Sequence, residues 1–146
     1  MRDIFVFGSN LAGVHGAGSA LAARQHHGAV LGVGEGLTGD AYAIPTKSAH
    51  LRTLALGQIR RHVEKFCIFA VNHPEMRFTV VEIGCGLAGY TPKQIAPMFL
   101  GAPRANVILP ESFTAVLYQT EGIDSETWLT NLLDGVEDDY VPAFDL

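Results

Sequence analysis

Two spacings of apolar residues divide this chain. Residues 4–7 read Ile4-Phe5-Val6-Phe7, an unbroken apolar run that predicts a strand covered on both faces. Residues 78–83 are β-branched and apolar and predict a second such strand; shorter runs at 41–44 and 106–109 predict two more. Pro45 is expected to end the strand at 41–44. Elsewhere the apolar spacing widens to three and four. Residues 17–27 are alanine-rich and predict a closely packing helix stopped by Gly28. Residues 51–72 carry Leu51, Leu54, Ile59, Val63, Phe66 and Ala70 near one face, which predicts the longest helix, with Pro74 just beyond it. Thr91-Pro92 supplies an N-cap followed by a first-turn proline. Residues 29–39 predict a short strand followed by a loop. Asp124 or Ser125 is expected to cap a short helix containing Trp128, Leu129, Leu132 and Leu133. Strands alternating with helices predict an α/β fold, three layers (α/β/α) around a mixed, largely parallel sheet.

Sheets of this kind hold ligands in the crevice beyond the carboxyl ends of their strands. There the sequence places its three unusual loops. The first runs Gly8-Ser9-Asn10-Leu11-Ala12-Gly13-Val14-His15-Gly16-Ala17-Gly18, the second is Pro45-Thr46-Lys47-Ser48, and the third is Gly84-Cys85-Gly86-Leu87-Ala88-Gly89-Tyr90. The glycine spacing of the first matches neither the nucleoside-triphosphate loop nor the dinucleotide fingerprint. Its physical logic is nevertheless that of an anion site: Gly16-Ala17-Gly18 opens a helix, where bare backbone N–H groups and the helix dipole face a phosphate. Asn10 offers an amide to ribose hydroxyls. The competing reading is a turn that needs positive φ and tight helix–sheet contact. Tyr90 is placed to stack on a ribose or base, or to fill the core. Cys85 lacks an assigned histidine or lysine partner and reads as a small buried cysteine rather than a nucleophile. His15 and His50 are the acid–base candidates nearest these loops, with backbone-bonded loop histidines as the alternative. His26, His27, His62 and His73 show no metal spacing, and neither a metal nor a cofactor is predicted.

Composition narrows the setting. The chain has 146 residues, 48% of them hydrophobic and 17% charged, enough for one domain with a full core. Its net charge of −5 divides unevenly: residues 1–117 sum to +3 and residues 118–146 to −8. The reading is therefore one domain, a mildly basic body at 1–117 carrying an acidic extension at 118–146. A mildly basic body suits a small anionic ligand, and the acidic extension argues against a broad nucleic-acid surface. No apolar run reaches the length of a membrane helix and no export signal is visible, so a cytoplasmic protein with Cys67 and Cys85 reduced is expected, with no membrane partner. The apolar residues around Trp128 fit either this domain's core or a second copy of the chain.

Asn10 with Gly16-Ala17-Gly18, then Ile44-Pro45-Thr46-Lys47, then Ile83 through Tyr90, together resemble the macrodomain pattern over about residues 4–110. The likeness is nearest the branch of DNA ADP-ribosyl glycohydrolases and the terminal ADP-ribose–protein glycohydrolase. It extends to small macro-like proteins encoded by bacteriophages, for which the address would be the host cytoplasm. The resemblance implies ADP-ribose or a relative across the strand ends, with its diphosphate between the glycine loops. It implies contacts from Gly8, Ser9, Asn10, Leu11, Gly16, Ala17, Gly18, Thr46, Lys47 and the residues Gly84, Cys85, Gly86, Leu87, Ala88, Gly89 and Tyr90. It further implies that Lys47 acts on the anomeric carbon, with His15 as second catalytic candidate. Where some members carry an acid after Gly-Cys-Gly-Leu, this chain has Ala88. Two functions follow: an ADP-ribosyl hydrolase acting on modified protein or nucleic acid, and a non-catalytic sponge for an ADP-ribose-derived or cyclic nucleotide signal, as in phage anti-defence. Phe7-Gly8-Ser9 at a strand end, found also in other nucleotide-binding α/β proteins, adds a more remote third, a nucleotide glycosidase or phosphohydrolase.

Overall fold

The computed structural model describes residues 1–121, and the expected helix around Trp128 lies outside them. Five strands, β1 (Arg2–Asn10), β2 (Gly36–Thr38), β3 (Ala41–Lys47), β4 (Met76–Val80) and β5 (Val107–Ile108), form one sheet in the order β2-β3-β1-β4-β5. All neighbouring pairs run parallel except β2 with β3. The fold is thus α/β with a mixed, largely parallel sheet, as the alternation of patterns predicts.

Side-chain alternation along β1 separates two cores. Phe7 faces Ala41 and Ala43 of β3 and the small residues Ala20 and Ala23 of α1 (Gly18–His26). Alanines on both sides let that helix lie close to the sheet. Ile4 and Val6 face the opposite way, into a larger cluster with Ile59, Val63 and Phe66 of α2 (Leu56–Val71) and Phe78 and Val80 of β4. The Phe66 ring stands edge-on to Phe78 at 5.4 Å. A four-residue helix, α3 (Pro92–Ile95), a 3-10 turn (Ala96–Phe99) and α4 (Glu111–Glu121) complete this layer, with Phe99, Phe113 and Leu117 buried in it. Helices therefore cover both faces. No helix among the described residues is long and apolar enough to cross a membrane, and both cysteines are free thiols.

Four sequence expectations need correction. Pro45 lies inside β3, paired with Ser9 of β1. It is tolerated because β2 covers β3 only at Ala41, Tyr42 and Ala43, so the missing N–H interrupts no ladder on that side. The long helix begins at Leu56, not Leu51, because the chain first makes a hairpin in which Lys47 bridges Thr53. In residues 29–39 the order is loop first and strand second. Val30 and Leu31 are exposed there, since this segment folds over the first loop and the Gly32 N–H donates to the Gly13 carbonyl at 2.8 Å. A Cβ on Gly34 would stand 2.3 Å from the Asn10 carbonyl oxygen, so glycine here serves loop-on-loop packing. Finally, β4 ends at Val80 rather than residue 83, as the Ile83 N–H turns back to the Val81 carbonyl at 2.7 Å. Helix α4 spans the junction between residues 117 and 118, where the acidic extension was expected to begin.

Candidate functional site

Because β3, β1 and β4 are adjacent and parallel, their carboxyl ends open side by side on one rim. The three loops flagged in the sequence meet there around a cleft of about 730 Å³, within the ~300–1,000 Å³ usual for small-molecule sites. Residues 8–10 and 16–18 supply one wall, Thr46 and Lys47 adjoin it, and residues 84–88 with Tyr90 supply the other. Of the sequence candidates, Leu11, Gly89 and His15 do not line it. Leu11 is held by its backbone N–H on the Lys47 carbonyl at 3.0 Å, and the Gly89 N–H closes the turn on the Gly86 carbonyl at 3.0 Å. His50, exposed on the hairpin, is not in the lining either.

His15 requires correction as a catalytic candidate. Its side chain is fully buried on the α1 side of the sheet, edge-on to Phe7 at 5.5 Å. Burial pushes its pKa below the ordinary 6.5, the Val33 backbone opposes this, and Arg24 lowers it further. Neither ring nitrogen has a hydrogen-bond partner of normal geometry among the described residues. This imidazole packs on the α1 side of the sheet and does not line the cleft.

Residues 8–10 and 45–47, expected as loop, are instead the last residues of β1 and β3, and the Ser9, Asn10 and Thr46 side chains there are engaged. Asn10 donates from Nδ2 to the Val14 carbonyl at 2.7 Å and accepts from the Val14 N–H at 3.0 Å, clamping the loop. The Ser9 hydroxyl donates to the Gly34 carbonyl, and the Thr46 hydroxyl to the Ser9 carbonyl at 3.3 Å. What this wall presents is bare backbone. At Gly16 an added Cβ would meet nothing within 4 Å, and the same holds for Gly86 across the cleft. Neither glycine has positive φ, so neither turn geometry nor packing demands glycine at these two cleft-lining positions. The N-cap of α1, Ala17, makes no side-chain cap, and its first turn carries no acid. The first-turn N–H groups therefore lack intrahelical partners beside the cleft, at the positive end of the helix dipole.

Lys47 lines the same space, with no ion pair among the described residues. Cys85 is half-buried and its thiol donates to the Ile83 carbonyl at 3.5 Å. Burial first, and Glu82 second, push its pKa up to about 11, so it is a neutral thiol near pH 7. Sequence reasoning missed Glu82, absorbed there into the strand at 78–83. It lines the cleft just past β4 and accepts a hydrogen bond from Ser112 Oγ of α4 at 2.7 Å. Its signal was available: a single charge in an otherwise β-branched and apolar run next to a glycine turn. Cation, carboxylate, uncapped helix and two bare walls make an anion-receptive cleft with one acid at its edge. Compared with models of protein families, with curated proteins and with solved structures, the chain matches none.

Proposed function

We propose that this protein binds ADP-ribose or a related nucleotide in the cleft, with the diphosphate between residues 16–18 and the Gly84–Gly86 backbone. The observation that carries this reading is the pairing of Gly16 and Gly86, bare toward open space without a folding reason, with the uncapped start of α1. Backbone N–H groups at a helix start are a ready anion site. Lys47 adds a point charge suited to phosphate or to a ribose hydroxyl. The cleft volume suits a ligand of nucleotide size.

Hydrolysis of an ADP-ribosyl linkage is the second reading, favoured by Lys47 and Glu82 lining one cleft. In it the lysine engages the anomeric carbon, and the carboxylate takes the role that Ala88 leaves vacant in the 84–90 turn. Sequestration without turnover is the alternative. One experiment separates them. The protein is incubated with ADP-ribose, ADP-ribosylated protein and DNA, and cyclic ADP-ribose isomers, and bound and released material are analysed by mass spectrometry. Intact nucleotide recovered after heat denaturation identifies sequestration. ADP-ribose released by the wild type and not by Lys47→Ala identifies hydrolysis. Absence of binding to every one of these would sink the nucleotide reading.

A further inference from the structure

Two hydroxyls away from the bare backbone join the walls of the cleft. After β3 the chain makes a tight hairpin: Lys47 and Thr53 form an antiparallel bridge, the Ser48 N–H donates to the Arg52 carbonyl at 2.8 Å, and the Leu51 N–H returns to the Ser48 carbonyl at 3.0 Å. Leu51 closes it at φ 62, the one non-glycine residue with positive φ among the described residues. A leucine holds that conformation only where its surroundings enforce it. The Leu54 N–H then donates to the Thr46 carbonyl at 2.9 Å. From the other wall, Tyr90 donates its hydroxyl to the Leu54 carbonyl at 2.6 Å, and Thr53 donates across to the Ala88 carbonyl at 3.2 Å.

We infer that Tyr90 and Thr53 are positioning residues for Lys47, their hydroxyls tying the Lys47 hairpin to the 84–90 turn. The inference rests on the nucleotide reading of the cleft and deepens it. Lysine carries a long side chain with considerable rotamer freedom, and no carboxylate among the described residues pairs with Lys47. Its place is set by the backbone that bears it, and that backbone is fixed to the opposite wall through Thr53 and Leu54. Tyr90 thus acts through its hydroxyl as a strut, while its ring packs against the larger core cluster.

The test is a four-way cycle that removes the hydroxyls and keeps the shapes: Tyr90→Phe with Thr53→Val, in the wild-type and Lys47→Ala backgrounds, read by calorimetric titration with ADP-ribose. The expected loss is roughly tenfold in affinity where Lys47 is present and under about twofold where it is absent. Equal losses in both backgrounds overturn the inference, because a merely structural role weakens binding regardless of Lys47. A ligand-free arm follows acetylation of Lys47 by peptide mass spectrometry against Lys65 on α2. The hydroxyl-free protein should label Lys47 roughly threefold faster as the hairpin opens, and an unchanged rate overturns the inference. Failure of the wild type to bind ADP-ribose falls on the nucleotide reading, and the labelling arm then still decides the positioning.

Discussion

Replacing Gly16 by alanine should separate binding from folding. Its φ is not positive and the added methyl would meet no atom within 4 Å. Folding stability should therefore hold or rise by about 0.5 kcal/mol, since alanine restricts the unfolded chain more than glycine does. For a domain of this size that is about 2 °C in Tm. The ligand meets the methyl instead. A phosphate oxygen taking a hydrogen bond from this backbone sits ~2.9 Å from nitrogen, and a methyl beside it displaces one or two charge-assisted bonds. At about 1.5–3 kcal/mol for such a bond, affinity for ADP-ribose should fall roughly 10- to 100-fold. Gly34→Ala is the contrasting variant: its Cβ would sit 2.3 Å from the Asn10 carbonyl oxygen, and a loss of about 3 kcal/mol is expected. Differential scanning calorimetry and titration calorimetry on both variants suffice. A Gly16→Ala protein melting several degrees below wild type would refute the open space, and one binding with unchanged Kd would refute contact between this backbone and the ligand.

Two further outcomes follow from the titrating groups. Because the folded state lowers the His15 pKa below 6.5, the unfolded chain takes up a proton first as pH falls through 6.5. This contribution to stability is therefore complete above pH 6.5 and declines below it until the folded pKa is reached. Urea midpoints at pH 7.5 and 5.5 should fall less in His15→Leu than in wild type, and an equal or steeper fall in the variant would contradict the assignment. Cys85, with its thiol raised from 9.0 to about 11, should react with iodoacetamide at pH 7.5 roughly a hundredfold more slowly than an unperturbed thiol, in proportion to its thiolate fraction. Alkylation at the rate of free cysteine would contradict that.

The fold class was legible because apolar periodicity reports burial directly, as at residues 4–7 and along the Ile59, Val63, Phe66 and Ala70 face. Boundaries were less legible where a tertiary partner decides them. Pro45 stops a strand only if its missing N–H has a neighbour, and β2 does not extend that far. Leu51 fits a helical spacing, yet it lies on the hairpin because Lys47 bridges Thr53. Residues 111–121 carried no assignment, although Phe113, Val116 and Leu117 follow a helical spacing into the core. In the cleft, the positions with exposed backbone were readable from glycine alone, whereas side-chain roles were not. Asn10 and His15 have the right chemistry for ligand contact, but Val14 occupies the first and the side of the sheet decides the second. Which acceptor lies nearest depends on distances that spacing along the chain does not encode.

The place of β1 in the sheet has a consequence for how the chain acquires its structure. Lying between β3 and β4, β1 has no partner until residues 41–47 are available and no second one until residues 76–80 are. This apolar strand must wait until residues 76–80 have been synthesised before both its edges are satisfied. Parallel pairing at such sequence separations is slow to nucleate, and an unpaired strand edge invites association with other chains. Early intermediates should expose Ile4 through Phe7, so refolding yield should fall as protein concentration rises, well before any property of the finished cleft comes into play.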